Sequence, residues 1–500
     1  MLDVGLTLEP SRAEVVRRLR SLSAQAWTPE LLGVIRENTA PNTKGISAKL
    51  AFGSDFPYRE PEGAACRRRG VGLRPSMAFG GLSNVWGAAV LPFRQSDLGG
   101  WPLGCADLAR HYTAVLRMTG LAARRDGLES LFPLYVDEPG VLEPSRQAAA
   151  LLARLARHRA WLEARGIYFG ASRLAVRASR SSEDQGCVYC RTCMYGCPYG
   201  FIYNSARTVE ELKGHHRFSY QPDVVVTSVI ERPQSVVVSG RHRVTARAVE
   251  VEAERVYLAT GPVRTTEILL RSLKAYDHTV WLSDSQYFVV PLLLLRRETA
   301  VRREALHTLS QVFVEIVDPS VSPYTVHLQV YSYSDMITLA LKRALGRIGS
   351  DALVRWLEDR LLVVQGYLHS SVSSRIGVTL RREGDGEPSL DLKADVNPTS
   401  GRAVRRVVAK LMRHPGRLGV VPVGPLLQIA DPGRGFHSGG SFPMRSRPAP
   451  FETDALGRPH GWRRVHAVDA TIFPSIPATT ITLSVMANAH RIAWESSNLS

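Results

Sequence analysis

The sequence offers no apolar run of about 18 residues, so it contains no candidate membrane-spanning helix. Its densest apolar stretch, Phe288–Leu295, is too short to span and reads as a buried strand. The opening residues, MLDVGLTLEPSR, carry an acid and lack the basic and apolar segments of a secretory leader, so a cytoplasmic location is the default expectation. Internal repeats and low-complexity tracts are absent. Lysine is scarce, and nearly all of the positive charge behind the net +17 is arginine. That arginine is scattered in small groups such as Arg67–Arg69, Arg302–Arg303 and Arg405–Arg406. No long basic stripe with interleaved aromatics exists, so no nucleic-acid partner is expected. Only 6 cysteines occur among the 500 residues, which excludes a disulfide-built framework. What remains, 44% hydrophobic and 22% charged residues, suits a large packed core.

The cysteines are unevenly placed. Cys66 and Cys105 stand alone, whereas Cys187, Cys190, Cys193 and Cys197 fall close together, the last followed by Pro198. This spacing matches the bacterial ferredoxin run. Three states suit it: an iron–sulfur cluster, a zinc site, or metal-free structural thiols.

Local patterns give the elements. Ser11 and Glu14 have capping-box spacing ahead of Val15, Val16, Leu19 and Leu22, which predicts a helix beginning near Ser11. Residues 105–118, 145–165 and 400–413 read as helices. Residues 223–260 alternate Val-rich runs with Pro233 and Gly240, which predicts antiparallel strands. Val256–Ala259 is a short apolar run entering Gly261, followed by a helical pattern to about Leu273. Arg382–Pro388 is a turn between two strands. The last 65 residues hold a glycine-rich loop, a strand ending near Asp469, a proline-rich turn and a helix from Thr482. This order predicts an α/β nucleotide-type domain assembled from distant segments, with a mostly antiparallel domain inserted.

Several segments resemble the glucose–methanol–choline oxidoreductases. FHSGGSFPM (436–444) and VHAVDATIFPSIPATTITLSVMANAHRIA (465–493) are similar to that family's two closing motifs. GGLSNVWGA (80–88) resembles its loop over the cofactor, WPLGCADLARHY (101–112) the segment after it, and VYLATGPVRTTEILL (256–270) the strand and turn beside the flavin. The resemblance implies an incomplete Rossmann-type FAD-binding domain with an inserted substrate domain built on an antiparallel sheet with helices. The expected division is 1–100, 185–275 and 431–500 for the FAD-binding parts, the second including the Cys-rich segment, with a helical cap at 101–184 and a substrate domain at 276–430. It further implies FAD as cofactor, an alcohol or sugar as substrate, and an external electron acceptor reached through the iron–sulfur centre if the cysteines hold one.

Residues carry over one by one. His437 takes the place of the catalytic base. Thr480 takes the place of a second His or Asn, and a hydroxyl there is a poor base. The cofactor-contacting set is Asp3, Gly80, Gly81, Ser83, Asn84, Trp86, Gly87, Ala259, Gly261, Asp469, Ala470, Ile481 and Thr482. Val85 stands where some sugar oxidases attach flavin through His, so no covalent link is expected there. No G-x-G-x-x-G loop follows a strand near the N-terminus, and Met1-Leu2-Asp3 reads as the end of a second strand with Asp3 as the ribose acid. Two accounts stand: a start assigned too far downstream, or a cofactor-free relative with a scaffold role.

Overall fold

The computed structural model describes all residues except 38–45, 61–65, 179–184, 347–348, 383–386 and 499–500. Its architecture is mixed α/β, with a nucleotide-type part and a large antiparallel sheet, as expected. The nucleotide-type part is carried by two short parallel strands, Val256–Leu258 and Val465–Ala467, paired in register. Leu2 makes an isolated parallel bridge to Gln221 nearby, and Leu6 another to Ala78. A three-stranded antiparallel sheet of Val224–Glu231, Val236–His242 and Ala248–Ala253 precedes the first of the parallel strands, matching the Val-rich pattern.

The inserted part rests on a seven-stranded sheet. Its pairings are all antiparallel and bring together Ile167–Ala171, Val312–Ile316, Val326–Tyr331, Leu361–Tyr367, Tyr287–Leu294, Val420–Pro422 and Gln428–Ile429. Side chains alternate across a strand, so each strand serves two faces. One face presents Val312, Val314, Ile316, Val326, Leu328 and Val330 to a core shared with helices Arg146–Ala156 and Pro398–Met412. The other presents Glu315, His327, Gln329, Tyr331 and Tyr367, and these too are buried. Both faces of the central strands are therefore shielded from water. A further five-stranded sheet, including Thr279–Asp284 and Ser438–Gly439, joins this region to the closing segments.

Local signals fared well where periodicity was strong. The helix after Gly261 runs Pro262–Ser272, and the terminal helix runs Thr482–Ser497. Phe288–Leu295 lies largely in strand Tyr287–Leu294. The first helix, Pro10–Ser21, begins near Ser11 as expected but without the expected capping box. Glu9 occupies its N-cap and makes no side-chain cap bond. Pro10 sits at the first helical position, where its fixed φ suits the helix and its missing N–H costs nothing, so Ser11 is already inside. The helix expected at 145–165 breaks after Ala156 and resumes at Arg159–Glu163, and that expected at 400–413 begins at Pro398, capped by Asn397. Strands Arg375–Arg381 and Ser389–Asp395 flank the expected turn at Arg382–Pro388, most of which lies outside the described residues. Among the described residues no helix is long and apolar enough to cross a membrane.

Candidate functional site

The strand Val256–Leu258 delivers an exposed turn, Ala259–Thr260, and then Gly261 at φ +83°. Gly81, in the loop 80–88, has φ +57°, and a side chain at either position would meet nothing within 4 Å. These are backbone surfaces open to close approach by a planar or phosphate-bearing group. Gly80 differs, because a side chain there would strike Asn204 and Ala206.

The loop around Gly81 is locked by polar contacts. Ser83 Oγ donates to Gly80 O and shares a hydrogen bond with Ser205 Oγ at 3.0 Å. Asn84 Nδ2 donates to Phe79 O and Gly81 O, while its Oδ1 accepts from Asn204. The expected cofactor residues Ser83 and Asn84 thus spend their side chains shaping the loop. Trp86 donates its indole N–H to Tyr203 O at 2.9 Å. Gly87 lies close to Tyr331, whose hydroxyl would stand 3.3 Å from any added Cβ. The loop therefore meets the polar face of the seven-stranded sheet.

Asp469 ties the two parallel strands together. Its Oδ2 accepts from the Gly261 amide at 2.9 Å and from the Thr265 hydroxyl. Its Oδ1 accepts from the Thr471 amide at 2.9 Å and from the Thr471 hydroxyl. Burial pushes its carboxyl above the usual range, against the pull of these donors. Asp469 accordingly acts as a cap and clamp that fixes Gly261, with Ala470 buried beside it. Asp3 accepts from the Tyr220 hydroxyl at 3.1 Å, and its carboxyl is raised by burial. Thr480 is buried and accepts from the Leu91 amide at 3.1 Å. Its hydroxyl oxygen thus holds the far end of the glycine loop, while Ile481 is buried and Thr482 opens the terminal helix.

His437 follows Phe436, which takes the left-handed region at φ +57°. Its imidazole stacks on Tyr367 with centroids 4.7 Å apart. Its Nδ1 is buried without a partner. Burial and the neighbouring His327 push its pKa down to about 3, which keeps the ring neutral and weakens it as a base while the pocket is dry. Ala478, from the proline-rich turn, packs with Tyr287 and Tyr367, so the two closing motifs converge on this spot.

Four residues that sequence reasoning missed surround His437. Glu315, His327, Tyr367 and Tyr287 lie in register across four adjacent strands. Glu315 and His327 are fully buried, with Nδ1 to Oε1 at 2.6 Å. Gln329 Nε2 lies 3.2 Å from the other ring nitrogen and can donate to it, which leaves the Nδ1 proton for Glu315. The available signal was the alternation of His327, Gln329 and Tyr331 within VHLQVY. Asp284 was also missed. It accepts from Gly433 N at 2.8 Å and Ser438 Oγ at 2.7 Å, so it pins both ends of the loop that carries His437.

Burial raises the Asp284 pKa from 3.8 to about 7. A carboxyl raised on folding favours the folded state below its unfolded pKa, and that contribution is lost as pH rises through 7. The loss across this window is on the order of 4 kcal/mol. Asp284→Asn does not titrate, so its stability relative to wild type is expected to improve between pH 4 and pH 8. Urea midpoints at both pH values measure this, and a pH-independent difference would show that Asp284 is ionised throughout.

The four clustered cysteines are free thiols. Burial raises the thiol pKa of Cys187, Cys190 and Cys193, the last to about 11. Cys197 Sγ accepts from Phe201 N at 3.3 Å. Among the described residues no three His, Cys, Asp or Glu side chains are grouped to hold a metal ion.

No family model and no curated protein matches the sequence. Solved structures do match over the whole chain. Pyridoxine 4-oxidase from Mesorbium loti aligns with TM-score 0.57 and 14% identity, covering 99% of this chain and 94% of its own. An FAD-dependent oxidoreductase from Chaetomium thermophilum aligns with TM-score 0.56 and 12% identity, covering 100% and 98%. The chain thus shares the fold of these two proteins over its whole length.

Proposed function

We propose that the protein is an FAD-dependent oxidoreductase that oxidises a CH–OH group of a small alcohol or sugar. The observation that supports this most is His437: a buried, neutral imidazole with an unclaimed ring nitrogen, where the two closing motifs meet. Gly81 and Gly261 fit a flavin, since each offers bare backbone with room where a side chain would stand. Bound flavin would supply the hydride acceptor. His437 would take the hydroxyl proton as hydride leaves the carbon, and Tyr367 would hold the ring flat. The buried face of Glu315, His327 and Gln329 would orient a polar substrate and keep bulk water out. Asp469 would hold Gly261 in place for the cofactor. Onward electron transfer through an iron–sulfur cluster on Cys187, Cys190, Cys193 and Cys197 is the finer form of this reading, and it draws support from their spacing alone.

One experiment addresses both levels. The purified chain is incubated anaerobically with FAD, desalted, assayed for iron, and mixed with a panel of alcohols and sugars while its visible spectrum is recorded. A retained flavin band that bleaches with one of them supports the oxidoreductase. A colourless protein that takes up no FAD favours the cofactor-free scaffold, and iron near zero rejects the cluster.

A further inference from the structure

A large open cavity lies away from this site, at the other end of the parallel strands. Val256–Leu258 and Val465–Ala467 point their C-terminal ends toward Gly261 and Asp469, whereas Arg255 and Arg464 precede their first residues. About six extended residues, or roughly 20 Å, separate Arg255 from Gly261. The cavity has a volume of about 980 Å³ and is bounded by the strand end Val229–Glu231, the terminal helix at Ser496, and the loop around Trp462.

Five arginines line it against two glutamates. Glu231 is committed, accepting from the amides of Arg463 and Arg464 at 2.7 Å each. Arg458 is paired with Asp454, and Arg232 lies 3.5 Å from Glu252. The other three arginines, Arg255, Arg463 and Arg464, form no ion pair among the described residues. Arg464 donates to the carbonyls of Pro233 and Glu254, and Arg255 donates to that of Ser496. Carbonyls fix a guanidinium without cancelling its charge. Two forks are thus pre-positioned on main chain, and Arg463 is exposed at the rim. Phosphate oxygens match such forks by paired charge-assisted hydrogen bonds. A single phosphate would leave most of the volume unfilled.

We propose that this cavity binds a multiply phosphorylated small molecule, its phosphates held by Arg255, Arg463 and Arg464. The half-buried Trp462 supplies a flat wall for an organic ring. Inorganic polyphosphate and nucleoside polyphosphates share the phosphate chemistry, and the test separates them.

The full chain is titrated calorimetrically with tripolyphosphate and, separately, with ATP. Saturable binding is expected. Arg463→Glu, a change at an exposed position, is expected to weaken it about tenfold or more, and Arg464→Gln to weaken it as well. Arg405→Glu, an exposed reversal on helix Pro398–Met412, serves as the control for overall charge and is expected to leave affinity within about twofold. ATP binding more tightly than tripolyphosphate assigns the site to a nucleoside phosphate, and equal binding assigns it to the phosphate chain. Equal loss in the Arg405→Glu control, no saturable binding, or displacement of tripolyphosphate by FAD would each overturn the proposal.

Discussion

His437→Ala, in flavin-loaded protein with a reacting substrate, slows flavin reduction by about 10²–10⁴-fold, the usual contribution of a positioned base. That corresponds to roughly 3–5 kcal/mol of barrier. The imidazole stacks on Tyr367, so its loss leaves a gap beside a fixed ring and does not offer an alternative acceptor. Substrate binding weakens much less than the rate. Thr480→Ala costs less in the reductive step, on the order of 1 kcal/mol, because its oxygen already accepts from the Leu91 amide and positions the glycine loop. Anaerobic stopped-flow reduction measures both variants. If His437→Ala is reduced at the wild-type rate, the base lies elsewhere, and His327 with its Glu315 partner is the next group to examine. The pH profile adds an independent reading. Burial keeps His437 neutral to about pH 3, so the reductive rate has no acid limb near the ordinary histidine value of 6.5. A limb near 6.5 would place the ring in a wetter setting than the one described here.

Asp469→Ala is the substitution with the largest expected cost in stability. It strips an acceptor from four donors at once: the amides of Gly261 and Thr471 and the hydroxyls of Thr265 and Thr471. Hydroxyls can turn to other partners, but the two amides cannot. The Thr471 amide is buried and, left unsatisfied, costs about 1–3 kcal/mol, and the part-buried Gly261 amide adds less, so a loss of about 2–4 kcal/mol is expected. Asp469→Asn is informative because its amide group turns two donors toward donors already present, and it should fall between alanine and wild type. Urea unfolding reports the stability, and flavin retention reports whether Gly261 has moved. A variant that is as stable as wild type would show that the clamp is satisfied by water.

The segments most legible in the sequence were those whose signal is local. Val256–Leu258, Gly261 and the helix behind them follow from an apolar run, a glycine and a periodic stretch. The Val-rich hairpins followed likewise. The first helix begins within one residue of the expected start, but two local rules competed there and the proline at position 10 prevailed over the Ser11 capping box. Ser83, Asn84 and Asp469 stand in the expected loops, yet the structure shows them shaping backbone, which no motif distinguishes from contact with a ligand. Glu315 and His327 escaped notice for a physical reason. Alternation in VHLQVY normally marks a strand with one wet face, and only the surrounding helices and loops reveal that the second face is also dry. The cysteines illustrate the converse. Their spacing gives a ligand pattern, but which thiols would face one centre is a property of side-chain direction, which spacing does not encode.

The two-faced sheet has a consequence for how such a protein can change over generations. Valine, leucine and isoleucine on one face hold the strands to their helices, while Glu315, His327, Gln329 and Tyr367 point the opposite way from the same backbone. A substitution at an even step along Val326–Tyr331 meets the oily core, and one at an odd step meets the buried polar face beside His437. Inheritance can therefore vary that polar face by single steps on alternate positions, while the scaffold that presents it is left in place.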